Sequence, residues 1–135
     1  MASTAVPLAA VDHVTVLSPN EVVAAKTVSA GDPYLAGHYP GRPVYPGVFV
    51  LETARQALDV LLSAGSSGPR TATLTGVVSL RVFAPLSAGD RLSVHVTCAG
   101  AASGETEATA RCSRNGTERV AALTVTFLPT TGGAA

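Results

Sequence analysis

Charge is scarce in this sequence, and positive charge is nowhere concentrated. Only 13% of the 135 residues are charged, the formal net charge is zero, and the nine Lys and Arg residues are scattered singly. A surface that binds nucleic acid needs clustered cations that displace counterions from the phosphate backbone. We therefore predict that nucleic acid is not a partner.

The sequence also lacks long apolar runs. No run reaches the roughly 18 residues that a membrane-spanning helix needs. The N-terminal sequence MASTAVPLAA has neither the basic start nor the long apolar stretch of a signal peptide. We expect no membrane association and predict a cytoplasmic protein.

Cysteine is limited to two residues, Cys98 and Cys112, and no histidine lies at ligand spacing from them. Two sulfurs in this arrangement do not match a zinc pattern. Each cysteine is in phase with apolar neighbours in a strand-like segment, so we interpret both as small buried hydrophobic residues rather than as a disulfide or a metal site.

What the sequence does contain is apolar material, 47% of all residues, which is ample for one core. Helical periodicity is clear only over 48–64, between Pro46-Gly47 and a Gly/Ser/Pro segment. Val- and Thr-rich segments with period-two alternation predict strands at 10–17, 21–29, 72–83, 91–99, 105–113 and 119–127. Asn115-Gly116 is a strong hairpin signal. The pattern predicts an α+β domain whose last four strands form an antiparallel meander, followed by a disordered tail, 129–135.

The predicted helix is apolar around most of its circumference, so we expect it to be buried and wrapped by a curved antiparallel sheet. Its long polar residues Glu52, Arg55, Gln56 and Asp59 have the spacing i, i+3, i+4 and i+7 and share one stripe.

The segment GHYPGRPVYPGVFVLETARQ, residues 37–56, contains three prolines and three glycines ahead of this helix. Prolines fix φ and glycines permit tight bends, so the segment is a stiff loop that presents His38 and the helix N-terminus together. Glu52 follows about one turn later, in apolar surroundings that we expect to raise its pKa. A histidine and a carboxylic acid of this kind can serve as general base and general acid.

This segment resembles the signature of the (3R)-hydroxyacyl-acyl carrier protein dehydratases of bacterial fatty-acid synthesis, which have the hotdog fold. Similar residues occur in the family at Val11-Asp12-His13-Val14, Asp32-Pro33-Tyr34, Arg81-Val82-Phe83-Ala84-Pro85 and Gly89-Asp90-Arg91-Leu92. The resemblance covers about 6–128 and implies a single hotdog domain over that range.

The resemblance implies a role for each matching residue. His38 would remove the α-proton of the 3-hydroxyacyl thioester, and Glu52 would protonate the departing hydroxyl. The backbone N–H of Gly47 would polarise the thioester carbonyl, and Gln56 would orient the Glu52 carboxyl by a hydrogen bond. The side chains of three aromatic residues are candidates for the lining of an acyl tunnel: Tyr39, Tyr45 and Phe49.

The same resemblance implies the partners. The substrate would be carried by acyl carrier protein on its own phosphopantetheine, with no metal or diffusible cofactor, in fatty-acid or polyketide synthesis. The active site would be shared between two subunits, in a homodimer, a higher multiple, or a heterodimer with a related hotdog subunit. Two alternatives remain open: a hotdog acyl thioesterase, and a non-catalytic subunit of a heterodimeric dehydratase.

Arg55 departs from the family pattern, which has a small Ala at this position. Its guanidinium can pair with Glu52 at i−3 or with Asp59 at i+4. Pairing with Glu52 would lower the pKa of the acid. We favour Asp59, because burying the cation beside the catalytic carboxyl would also desolvate it.

Overall fold

The computed structural model describes most of the region in which secondary structure is predicted. The described residues are 11–28, 44–45, 47–66, 68–84, 86–87, 89–99, 104–116 and 118–131. The predictions for His38 and Tyr39 lie outside these ranges. Within the described ranges, no helix combines the length and apolarity that crossing a membrane requires.

One long helix and eight strands make up the described structure. The helix α1 is Gly47–Ala64, one residue longer than predicted. In chain order, the strands are β1 His13–Ser18, β2 Glu21–Thr27, β3 Val44–Tyr45, β4 Arg70–Val82, β5 Leu86–Ser87, β6 Arg91–Cys98, β7 Thr106–Arg114 and β8 Glu118–Thr131.

Six strands form one antiparallel sheet in the order β1-β2-β6-β7-β8-β4, and β3 pairs with β5 separately. The predicted meander is confirmed for β6, β7 and β8. Asn115 and Gly116 have φ values of 52° and 92° in the β7–β8 turn, as the Asn-Gly signal predicts. The meander prediction is wrong for β4, the first of the four strands, because β4 pairs with β8 and not with β6. The strand that follows the helix in sequence therefore lies at the edge of the sheet, opposite β1.

The core lies between α1 and the inner face of the sheet. Burial alternates along β6 from Leu92 to Cys98, so every second side chain faces the helix. Both cysteines are buried and reduced, as predicted. Phe127 on β8 is fully buried, and so are Ala57 and Leu58 on α1. Together they confirm the predicted α+β arrangement of a helix packed against an antiparallel sheet.

The helix is less enclosed than its composition predicts. Val60 is 39% exposed, and the four polar residues of the stripe are half-buried. This side of α1 faces the beginning of β4 rather than the middle of the sheet, so its polar groups keep access to solvent.

Strand β8 runs through Pro129 to Thr131, so the disordered tail predicted from residue 129 is wrong for its first three residues. A proline is tolerated there because no ladder hydrogen bond needs its missing N–H. Pro129 pairs with Ala72, whose own N–H is directed away from β8 to an α1 side chain. On the other side of β8, pairing with β7 begins only at Phe127 and Thr106. Residues 132–135 lie outside the described ranges.

Candidate active site

The first residue of α1 is Gly47, so the predicted carbonyl-polarising N–H belongs to the N-terminal turn of the helix. The first N–H groups of a helix have no partner within it and carry the positive end of the helix dipole. Glu52 follows five residues later, roughly 7.5 Å along the axis. The N–H that is predicted to polarise the carbonyl and the Glu52 carboxyl are thus on one helix.

Arg55 forms a bidentate hydrogen bond with the Glu52 carboxyl. Its Nε donates to Oε1 at 2.8 Å, and its Nη2 donates to Oε2 at 2.8 Å. Arg and carboxylate groups match each other in this parallel geometry, which makes it one of the stronger pairings in proteins. The side chains keep 24% and 27% exposure respectively, so the pair is only partly removed from water.

Gln56 contacts the same carboxyl. Its Nε2 donates to Glu52 Oε2 at 2.9 Å, which is the hydrogen bond expected from the sequence. The catalytic purpose of that bond remains a prediction.

Arg55 is itself held by Asp59 and by β4. Its Nη1 donates to Asp59 Oδ2 at 3.0 Å and to Oδ1 at 3.2 Å. Asp59 Oδ1 in turn accepts the backbone N–H of Ala72 at 2.7 Å, and Arg55 Nη1 reaches the Ala72 carbonyl oxygen at 3.4 Å. The guanidinium is therefore anchored on the sheet as well as on the helix.

Two expectations about this group are corrected, the choice of partner by Arg55 and the direction in which the pKa of Glu52 is shifted. Arg55 does not choose Asp59 over Glu52, because one guanidinium contacts both carboxyl groups. The desolvation cost that argued against this arrangement is reduced, since the cation remains partly exposed and has several acceptors.

The pKa of Glu52 is lowered rather than raised. The Arg55 hydrogen bond has the largest effect, and burial opposes it without overcoming it. Asp59 behaves in the opposite way, since burial raises its pKa against the bonds from Ala72 and Arg55. Sequence reasoning identified every member of this group except the Ala72 backbone, for which the sequence has no local signal.

The other predicted site residues are only partly placed. Tyr45 ends β3, two residues before the helix. Phe49 is half-buried and packs against the core cluster. A role for these residues in lining an acyl tunnel stays a prediction, as does the role of Tyr39.

Metal ligands do not converge in the described ranges, where no three His, Cys, Asp or Glu side chains are grouped to hold an ion. What these ranges do contain is the N-terminus of a helix and a hydrogen-bonded carboxyl.

Comparison with solved structures identifies the fold class. The chain superposes on the dehydratase heterocomplex ApeI:P from Xenorhabdus doucetiae with a TM-score of 0.70 and 15% identity, covering 87% of this chain and 96% of that one. It superposes on the PaaI protein of the E. coli phenylacetic acid degradation operon with a TM-score of 0.66 and 16% identity, covering 85% and 80%. At these identities the similarity defines the fold alone, and that fold is the predicted hotdog fold.

The sequence then identifies the family. Residues 4–121 match the FabA-like domain, so the chain belongs to the FabA-like family.

Among curated proteins, it is 36% identical over 93 residues to the 3-hydroxyacyl-acyl-carrier-protein dehydratase FabZ of Nitratidesulfovibrio vulgaris, covering 66% of this chain and 60% of that protein. It is 38% identical over 92 residues to FabZ of Symbiobacterium thermophilum, covering 67% and 65%. The matched part of the chain thus spans about three-fifths of the length of these curated relatives.

Proposed function

We propose that this protein is a dehydratase that removes water from a 3-hydroxyacyl thioester carried by acyl carrier protein, giving the trans-2-enoyl thioester. The observation that carries the proposal is the half-buried Glu52 carboxyl, hydrogen-bonded by Gln56 and displayed on α1 beyond the N-terminus at Gly47. Membership of the FabA-like family and the similarity to FabZ proteins support the choice of substrate.

The reaction divides between a base and an acid. His38 takes the α-proton, and the Gly47 N–H stabilises the enolate character that develops on the thioester carbonyl. The C–O bond at the 3-position breaks as Glu52 delivers a proton to the hydroxyl, which leaves as water. The cycle ends with a protonated His38 and an ionised Glu52, and proton exchange with solvent restores both. In this scheme neither a metal nor a diffusible cofactor takes part.

The test is to incubate the purified protein with a 3-hydroxyacyl carrier protein and to follow the loss of water by mass spectrometry. His38→Ala should reduce the rate by about 10² to 10⁴, the usual cost of losing a general base. Arg111→Ala, on the exposed outer side of β7, is the control and should keep the wild-type rate. Near-wild-type turnover by His38→Ala would refute the assignment of the base.

One observation favours a second candidate, a hotdog acyl thioesterase. The bidentate hydrogen bond from Arg55 favours Glu52 as a carboxylate. A carboxylate can take a proton from a water that attacks the thioester carbonyl. The same contact is compatible with a non-catalytic subunit in a heterodimer. Release of the free thiol without an enoyl product would favour hydrolysis over elimination. Absence of both products would favour the silent subunit.

We include in the proposal a dimer, or a multiple of it, as the working assembly. Strand β4 is an edge strand, and side chains along its second half are exposed although apolar: Val77 49%, Val78 62%, Leu80 37% and Val82 56%. A long apolar edge strand presents unpaired backbone groups that can pair with another chain. Either a homodimer or a heterodimer with a related hotdog subunit would pair the backbone groups of this edge.

A further inference from the structure

The Glu52 carboxyl has few acceptor positions left. A carboxylate offers about four lone-pair sites, two on each oxygen. Oε2 accepts from Arg55 Nη2 and Gln56 Nε2, which occupies both of its sites. Within the part of the chain that the structure describes, the only donor to Oε1 is Arg55 Nε. One acceptor site therefore remains, and it is on Oε1.

The contact between Arg55 and Glu52 is held in one geometry, because the guanidinium of Arg55 is also hydrogen-bonded through Nη1. Asp59 holds the Nη1 end, and the Ala72 N–H on β4 holds Asp59. Because the guanidinium is planar, rotating it away from Glu52 would break both bonds to that carboxyl and would also displace Nη1 from Asp59. A bidentate bond between two partly buried groups of this kind favours one geometry strongly.

We propose that Arg55 is a positioning residue that fixes Glu52 as a carboxylate, with Oε1 as the oxygen that meets the substrate hydroxyl. This inference rests on the proposed dehydratase function and adds a restraint to it. Glu52 must gain a proton on Oε1 before it can protonate the leaving hydroxyl, so Arg55 limits dehydration at neutral pH. Removing Arg55 should accelerate the reaction.

Charges from the other elements that contact α1 leave this assignment intact. Lys26 on β2 pairs with Asp12, and His95 on β6 pairs with Glu21. His13 on β1 is exposed. On β4, Arg70 meets α1 through its backbone at Ser63. Among the charged residues that the structure describes, Arg55 is the one that acts directly on the pKa of Glu52, where it is joined by the neutral Gln56.

The direct test is the titration of the Glu52 side-chain carboxyl by carbon-13 NMR, with the signal assigned by its loss in Glu52→Gln. Arg55→Ala should move the Glu52 titration to higher pH. In Arg55→Lys, which keeps the charge and lacks the planar guanidinium, Glu52 should titrate at a pH between those of the wild type and Arg55→Ala. Arg111→Ala, which alters an exposed arginine, should leave the titration unchanged.

The kinetic counterpart is the pH profile of kcat/KM for dehydration. Arg55→Ala should raise kcat/KM at neutral pH by about tenfold or more, because an adjacent arginine strongly disfavours the protonated carboxyl. Should Arg55→Ala fold poorly, Arg55→Gln serves in its place, because it keeps a neutral donor at about the position of Nε and lacks the charge and the two terminal nitrogens.

The outcomes separate this inference from the proposed function. A folded Arg55→Ala or Arg55→Gln protein with an unchanged Glu52 titration would overturn the role of Arg55, even if the wild type is a dehydratase. Conversely, a shifted titration with no dehydration by any variant would uphold the role of Arg55 and reject the proposed function.

Discussion

The Glu52 carboxyl is subject to two opposing influences, burial and a paired cation, and the cation dominates. Burial alone favours the neutral acid, as expected for a carboxyl on an apolar helix. Two short hydrogen bonds from one guanidinium reverse that preference at a site that keeps 27% exposure. The identity of residue 55 therefore has the largest influence on the direction in which the pKa of the candidate acid is shifted.

A stability measurement on Glu52 follows from the direction of this shift. Its pKa in the folded protein lies below the usual 4.5, so ionised Glu52 stabilises the fold. That contribution is complete above the unfolded pKa and is lost as the pH falls through the folded pKa. The free energy of unfolding of the wild type relative to Glu52→Gln should thus be constant near neutrality and decrease below about pH 4.5.

Urea unfolding of both proteins between about pH 3 and pH 7 would measure this difference. A difference that grows as the pH falls would contradict the lowered pKa, since that sign belongs to a carboxyl whose folded pKa is raised.

Among the elements, α1 does more than fill the core, because its polar stripe caps the first part of the edge strand β4. Asp59 accepts the Ala72 N–H. Ser63 Oγ accepts the Arg70 N–H at 2.9 Å and donates to the Arg70 carbonyl oxygen at 3.2 Å. These side chains satisfy backbone groups that a neighbouring strand would otherwise pair. Beyond Ala72, this cap ends and the apolar part of β4 begins.

Replacing Ser63 tests the cap. Ser63→Ala removes both hydrogen bonds to Arg70 and should lower the free energy of unfolding by about 0.5 to 1.5 kcal/mol. Thr15→Ala, which also removes a hydroxyl but at an exposed position of β1 outside the proposed β4 contact, is the control and should change it by less than about 0.5 kcal/mol. Urea unfolding of all three proteins is compared at one protein concentration, because the apparent stability of a dimer depends on concentration. Equal effects of the two substitutions would show that the cap contributes no stability.

At the scale of the whole molecule, the sheet has two edges with different properties. Edge strand β1 is six residues long, whereas β4 has thirteen. The longer edge also carries more exposed apolar side chains, of which Val78 is the most exposed at 62%. We therefore expect the proposed dimer to form through β4.

A lysine on each edge discriminates between them, since charged side chains on an edge strand oppose pairing. Val78→Lys should convert the dimer to a monomer at micromolar concentration, as measured by light scattering. Leu17→Lys, at a position of similar exposure on β1 (55%), should leave the dimer intact. The reverse pattern would move the interface to β1, and a monomeric wild type would remove the basis for a shared active site.

The sequence by itself determined the helix, six of the strands and the polar stripe, since each follows from local periodicity or turn chemistry. The helix begins at Gly47, the second residue of the Pro-Gly pair, and Asn115-Gly116 makes the predicted turn. Residues on one face of one element are related by geometry that needs no knowledge of the rest of the chain. The hydrogen bond between Gln56 and Glu52 could be predicted for this reason.

Only the tertiary structure decided which elements are neighbours. Period-two alternation indicates that β4 is a strand but not whether β6 or β8 pairs with it, because strand partners are chosen by long-range packing. Pro129 continues β8 because β7 has already ended beside it. Arg55 reaches both carboxyl groups because the backbone of Ala72, distant in sequence, fixes Asp59 at the position where one guanidinium spans the pair. The simultaneous contact of Arg55 with both carboxyl groups thus involves a strand contact that no local pattern encodes.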